Sequence, residues 1–460
     1  MDRKNLILIL ASVGTFVEAL DIAIINLTIP SIQEQFGIRA ETVQWLQTLY
    51  VLFFGGFLII GGKLSDQIGR KKIFLLGSLI FMLTSLGAGL SIHFETLAIF
   101  RALQGLGAAF IMPSAMSIVT NTFQEDQERN HAIGIFSSFA AIGSGSGLSL
   151  GGIISTYLSW HWVFLINVPI LLCTLIFAYR FLPKDEAGIS KKTDLLSGVL
   201  LVLGLLSLTY GTHELIHIKE QPFIVIGSLM MAALLLVFVF NRLKSVSQPL
   251  IDLKLFKYKS LAVSNLTFVA LGAFFIGFLF LISLMLQKDM GKSAASAGLM
   301  LVPFSVMSAL VAKFILPHVS KKLNSTQMGI LGWIFMLSGA SALLISVYFN
   351  HPLSLVLIGA ACISGIGMTF CFTALSVLGI QDVNASNYGV ASSLGSTSYF
   401  LGAGIGLSFM TLMSQIFPSE LAVGNLSLLI LIGYAVFALA MLLYFTIKNI
   451  KIKQAGMAVS

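Results

Sequence analysis

The chain has 460 residues, 57% hydrophobic and only 10% charged, with a formal net charge of +8. Soluble domains carry about 25% charged residues, so a soluble enzyme is excluded. The basic excess is scattered over short segments between apolar blocks, which reads as membrane topology and not as a nucleic-acid surface.

Fourteen apolar blocks of about 20 residues predict an all-α protein that spans a membrane. They fall near residues 6–29, 44–62, 73–91, 95–119, 131–156, 162–182, 195–213, 222–241, 261–286, 295–317, 327–347, 353–378, 388–415 and 425–447. The first block follows Arg3 and Lys4 like a signal peptide, but it is too long for one and carries Glu18 and Asp21, so it reads as a retained helix. The seventh and eighth blocks are the least sharply bounded, because Gly211 to Gln221 is short and mixed. The longest polar connection runs roughly from Pro183 to Asp194. Of 27 Lys and Arg, only Arg39, Lys219, Lys288 and Lys292 fall on the side opposite the other basic segments, and Arg101 and Lys313 fall within spans. That bias predicts cytoplasmic termini and an even number of spans. Cys173, Cys362 and Cys371 lie in spans without metal-ligand spacing. His93, His213, His217 and His351 fall in or near external loops and are expected to be solvated.

The chain repeats itself. GKLSDQIGRKKIFLLG (62–77) is echoed by PHVSKKLNSTQMGILG (317–332), and QGLGAAF (104–110) by SGIGMTF (364–370). Gly105 and Gly107 thereby align with Gly365 and Gly367. The fifth and thirteenth spans are both rich in glycine, the latter through Gly389, Gly402, Gly404 and Gly406. The expected organisation is an N-terminal six-helix bundle (1–190), two inserted helices (191–244) and a C-terminal six-helix bundle (245–460), a parallel repeat. In this alignment Asp66 faces Lys321 and Arg101 faces Ala361, so ionic chemistry is concentrated in the first half.

The segment GKLSDQIGRKK resembles the hallmark loop of the major facilitator superfamily, G-x-L-[AS]-D-x-x-G-R-[RK]-[RK]. Further stretches resemble its 14-helix drug:proton antiporter branch: LDIAIINLTIP (20–30), WLQTLYVL (45–52), RALQGLGAA (101–109) and WHWVFLINVP (160–169), where His161 stands in place of the usual Arg. The resemblance covers nearly the whole chain. It implies the major facilitator fold and gives the 62–72 loop a conformational role, as an ionic latch. Gly62 and Gly69 allow close approach and a tight turn. Asp66 is expected to cap the following helix or pair with Arg70, and Lys71 and Lys72 to hold the loop in the cytoplasm. The antiporter motif G-x-x-x-G-P-x-x-G-G reads GSGSGLSLGG here: Gly143, Gly147, Gly151 and Gly152 are in register, and Leu148 replaces the proline. Export is therefore expected without the proline-dependent kink.

Depth along the helices separates the two acids. At 1.5 Å per residue Asp21 lies about 12 Å, and Arg101 about 9 Å, from the outer ends of their spans. An unpaired guanidinium at that depth is costly, so an Asp21–Arg101 pair is expected. Glu18, about 16 Å in, then lacks a cation. A buried carboxylate without a cation favours its neutral form, and a cationic substrate would displace the proton. Asn26, Gln47, Thr48 and Tyr50 are weaker candidates for the same polar cluster.

The reading is a secondary transporter, not an enzyme, exporting amphiphilic or cationic compounds through the cytoplasmic membrane. It is expected to use the proton gradient, without a cofactor or metal, and to act as a monomer. A narrower antiporter (of tetracycline–metal complexes or a metabolite), a proton symporter and a non-transporting membrane receptor are the alternatives.

Overall fold

The computed structural model describes residues 3–183, 194–247, 249–383, 388–417 and 423–457. Among them fourteen helices are long and apolar enough to cross a membrane. In chain order they are α1 Arg3–Leu27, α2 Trp45–Ile68, α3 Arg70–Gly89, α4 Phe94–Thr122, α5 His131–Tyr157, α6 His161–Phe181 and α7 Leu195–Thr212. The rest are α8 Pro222–Ser245, α9 Lys259–Asp289, α10 Ala294–Val319, α11 Ser325–Tyr348, α12 Leu353–Ile380, α13 Val390–Ile416 and α14 Asn425–Lys448. All fourteen predicted blocks are helices, the seventh and eighth included. The first ends two residues before the hydropathy suggested. After α1 the chain restarts as a separate helix, Ile29–Phe36, with Pro30 in its first turn and Gly37 ending it at φ 62°. Pro lacks the N–H that a continuous helix would need there. The expected boundary at 190/191 lies outside the described residues.

The two halves pack by the same rule. In the first, α1 contacts α4, α5 and α6, α2 contacts α4, and α3 contacts α4 and α6. In the second, α9 contacts α12, α13 and α14, α10 contacts α12, and α11 contacts α12 and α14. The glycine repeat explains part of this match. Gly105 lies against the Tyr50 carbonyl of α2 and Gly107 against Gly77 and Phe81 of α3; Gly365 lies against Met307 of α10 and Gly367 against Gly332 and Met336 of α11. Small residues set how closely helices approach in a membrane.

The halves join through α2 with α13 and α5 with α10. The inserted α7 packs along the α2–α13 seam, with Gly198 under Ile60 and Val202 over Gly56. Helix α8 leans on α7. Arg242 at the end of α8 bonds Asp194, which caps the start of α7, through Nε at 3.0 Å and Nη2 at 2.9 Å.

The two ends of the bundle differ. Away from the 62–72 loop the halves touch: Ser283 of α9 donates to the Asn26 carbonyl, Gln44 donates to the Leu407 carbonyl at 2.8 Å, and the Ala295 N–H donates to Thr156 at 3.0 Å. Deeper in, the Phe54 and Phe400 rings are 4.1 Å apart. At the loop end the halves part around a cavity of 490 Å³ between α2, α4, α5 and α13.

Candidate functional site

Helix α5 is a flat support for α1. Gly143, Gly147 and Gly151 recur every four residues, so they share one helix face. A Cβ on them would stand 2.4, 2.7 and 2.3 Å from the carbonyl oxygens of Phe16, Leu20 and Ile24. Gly152 turns to α10 instead, where a Cβ would stand 2.1 Å from the Ala294 carbonyl. The motif glycines thus seat α1 and one inter-half contact. The underlying helix, Asp126–Tyr157, runs uninterrupted through Leu148, as the missing proline implies.

On α1 that support fixes Glu18 and Asp21. Arg101 of α4 donates through Nη1 to Asp21 Oδ2, and both side chains are fully buried. Asn167 of α6 donates to the other Asp21 oxygen at 3.0 Å. Arg101 Nη1 also reaches Gln104 Oε1 at 2.9 Å, and Nε donates to the Leu46 carbonyl at 3.2 Å. Gln104 is itself anchored by donating to Ser85 at 2.8 Å. The Tyr50 ring lies 4.3 Å from the guanidinium carbon, a cation–π contact. The expected pair exists, held by four helices. Its net charge is near zero, which is what burial in a low dielectric demands.

Glu18 lies one helical turn from Asp21. It is buried, yet 5% of its surface stays exposed where Asp21 and Arg101 show none. It makes no hydrogen bond or ion pair among the described residues, and it lies within electrostatic reach of Asp21 and of Tyr399 on α13. It is therefore a buried carboxyl whose nearby cation is already committed to Asp21.

Other expectations need correction. Asn26 does not join the acids: its amide donates to the Ile22 and Ala23 carbonyls of its own helix, because the side chain sits where α1 tightens into its last turn. Tyr50 does join the cluster, its ring over the Arg101 guanidinium, while Gln47 is buried; neither lines the open cavity. Asp66 neither caps α3 nor hydrogen-bonds Arg70. The cap position belongs to Gly69, at φ 121°, with no side-chain cap. Asp66 lines the cavity with Lys63 and Gly62 instead. Lys71 reaches the end of α6, donating to the Tyr179 and Leu182 carbonyls at 2.7 and 2.9 Å, where the helix dipole favours a cation. His351 is buried, 9% exposed, and not solvated; the side chains of His213 and His217 lie outside the described residues. Asn167, Gln104 and Tyr399 were missed. The first two stand inside stretches already singled out, INVP and RALQG, so a buried amide near a charged depth was the available signal. Tyr399 gave none, since it comes within the field of Glu18 only through the packing of the halves.

A two-fold repeated bundle of membrane-length helices, open at one end and enclosing an ionic cluster, is the architecture of a secondary transporter. Residues 11–407 match the Major Facilitator Superfamily, and the chain belongs to that family. It is 31% identical to the cephamycin export protein CmcT of Amycolatopsis lactamdurans, over 88% of this chain and 83% of that protein. It is 28% identical to the multidrug resistance protein Stp of Mycobacterium tuberculosis, over 89% and 76%. Its fold is similar to the crystal structure of a D-xylose-proton symporter, with a TM-score of 0.69, 14% identity and coverage of 96% and 97%.

Proposed function

We propose that this protein is a proton-coupled exporter of amphiphilic, often cationic compounds. It would work by alternating access in the cytoplasmic membrane, as a monomer, with the 62–72 loop and both termini in the cytoplasm. No cofactor enters this reading; the proton gradient supplies the energy. The names of its relatives, a cephamycin exporter and a multidrug resistance protein, support the direction and the substrate class.

The observation that carries the reading is Glu18 without a cation, one turn from an acid that has one. Arg101 neutralises Asp21, so the Asp21 charge has no reason to change during a cycle. Glu18 can be neutralised in two ways, by a proton or by the field of a cationic substrate. The two compete, and competition at one carboxyl is enough for exchange. Tyr399 belongs to the opposite half, so a change of charge on Glu18 acts across the seam that must open and close.

Everted vesicles with an imposed proton gradient test this. Wild-type uptake of tetraphenylphosphonium is expected to collapse with a protonophore, and Glu18→Gln to lose coupled uptake at least tenfold. Uptake indifferent to the protonophore would sink proton coupling. Normal uptake by Glu18→Gln with an unchanged pH profile would remove Glu18 from the mechanism.

A further inference from the structure

Between α8 and α9 the chain reads PLIDLKLFKYK, residues 249–259, with three lysines and an exposed phenylalanine in its last six positions. This connector is held firmly. The Lys63 ammonium of α2 donates to the Pro249 carbonyl at 2.6 Å. Leu250 and Leu255 are buried in an apolar cluster with Ile59 and Ile60 of α2, Leu243 of α8 and Leu261 of α9. Asp252 caps a 3₁₀ helix, Leu253–Lys257, by accepting from the Lys254 N–H at 2.9 Å.

A 3₁₀ helix has three residues per turn, so side chains three apart eclipse and the element has three edges. Leu255 takes the inner edge. Lys254 and Lys257 share the second, and both are exposed. Leu253 and Phe256 share the third, where Phe256 is 39% exposed. Lys259, exposed as well, opens α9 two residues before its apolar stretch begins. The ammonium groups of Lys254, Lys257 and Lys259 make no hydrogen bond or ion pair among the described residues. The one acid of the segment, Asp252, is turned onto the backbone as the cap.

Three cations within six residues repel one another until an anion joins them. An uncovered phenyl ring beside them is unfavourable in water. One environment satisfies both. The helices on either side, α8 and α9, are of membrane-spanning length and composition, so the connector lies at the level where hydrocarbon gives way to headgroups. There an aromatic ring rests at the acyl boundary while lysines reach the phosphates.

We propose that this connector is a binding site for an anionic phospholipid of the leaflet at the loop end. The headgroup phosphate rests among Lys254, Lys257 and Lys259, and Phe256 lies against the first carbons of the acyl chains. The exposed apolar edge beside the cationic one selects a lipid over a soluble phosphate. The connector is fixed to α2 of one half and leads into α9 of the other, so the lipid sits on the covalent link between them. The site goes beyond the export reading and does not depend on what is carried.

The test is native mass spectrometry of the purified full chain, released from micelles with equal amounts of phosphatidylglycerol and phosphatidylcholine. The wild type is expected to retain phosphatidylglycerol at least tenfold over phosphatidylcholine. Lys257→Gln is expected to lower that ratio about fivefold, the scale of one basic residue at an anionic surface. The triple variant Lys254→Gln, Lys257→Gln, Lys259→Gln is expected to abolish the preference; all three side chains are exposed, so the fold is kept. Lys321→Gln with Lys322→Gln removes charge from the same end of the bundle and is expected to leave the ratio within twofold of wild type. Glycerol 1-phosphate, the soluble headgroup, is expected not to displace the lipid. Equal retention of the two lipids by the wild type overturns the proposal, as does an undiminished ratio in a triple variant that elutes as folded protein. An equal loss in the Lys321 and Lys322 variant would mean diffuse surface charge and no site. Displacement by glycerol 1-phosphate would mean a phosphate site that does not read the lipid.

Discussion

Arg101 and Asp21 lie eighty residues apart in the chain, yet the guanidinium of one donates to the carboxylate of the other with both side chains at zero exposure. Removing one partner leaves the other charge buried and alone. Asp21→Asn is therefore expected to destabilise the folded protein by about 3–5 kcal/mol, read as a lowered unfolding temperature in detergent. Arg101→Lys is expected to fall between, since an ammonium keeps the charge but cannot serve Asp21, Gln104 and the Leu46 carbonyl with one planar fork. A stable Asp21→Asn with normal transport would show that the pair is dispensable.

The Asp194–Arg242 contact gives a pH dependence outside the spans. Burial alone would raise the Asp194 carboxyl; hydrogen bonds from Ser197 and Arg242, with the Arg242 charge, outweigh it and hold the carboxyl below the usual carboxylate range. A depressed folded-state value stabilises the protein fully above the unfolded value of about 3.9 and loses that contribution as pH falls through the folded value. Asp194→Asn is expected to cost about 1 kcal/mol near pH 7. The gap to wild type should close below about pH 4. Thermal melts of both proteins from pH 7 to pH 3 check this; a gap constant with pH would mean that packing, not ionisation, carries the contact.

The glycines of α5 divide by what they face. Gly147 lies against the Leu20 carbonyl and the Ala23 methyl, with 2.7 and 2.8 Å of room for a Cβ, whereas Gly134 meets nothing within 4 Å. Gly147→Ala is expected to force α1 from α5 and destabilise by about 1–3 kcal/mol. Gly134→Ala is expected to stabilise by about 0.5–1 kcal/mol through helix propensity. Melting temperatures moving in opposite directions would confirm the division; equal shifts would refute it.

These cases show why the sequence was legible to different depths. Hydropathy marked every span, since length and apolar content are local properties. The Asp21–Arg101 pair was legible because rise per residue converts position into depth, and a buried guanidinium demands an acid at its own level. Azimuth was not legible. Asn26 shares that region of depth but turns back onto the carbonyls of its own helix, and only packing decides which way a helix face turns. The same limit hid Tyr399, whose relation to Glu18 exists across two halves. Asp66 misled for a different reason: an acid three residues before a turn looks like a helix cap, but Gly69 adopts a backbone conformation that leaves the cap position without a side chain.

The hydroxyls of Ser12 and Thr15 are buried and have no partner among the described residues. They precede Glu18 by six and three residues, so each is a neighbour of the next along α1, and the two hydroxyls lie toward the loop end of the bundle. A buried hydroxyl without a protein partner is ordinarily satisfied by water. Water at these two positions would lead a proton toward Glu18 from that end. Thr15→Val removes the hydroxyl and keeps the shape of the side chain. It is expected to slow proton-driven tetraphenylphosphonium uptake about fivefold, the scale of one lost hydrogen bond. Gradient-free binding of the same cation should not change. Thr15→Ser, which keeps the hydroxyl, is expected to restore the rate. Uptake by Thr15→Val at the wild-type rate would mean that the proton reaches Glu18 by another way, and that the Thr15 hydroxyl has no part in its delivery.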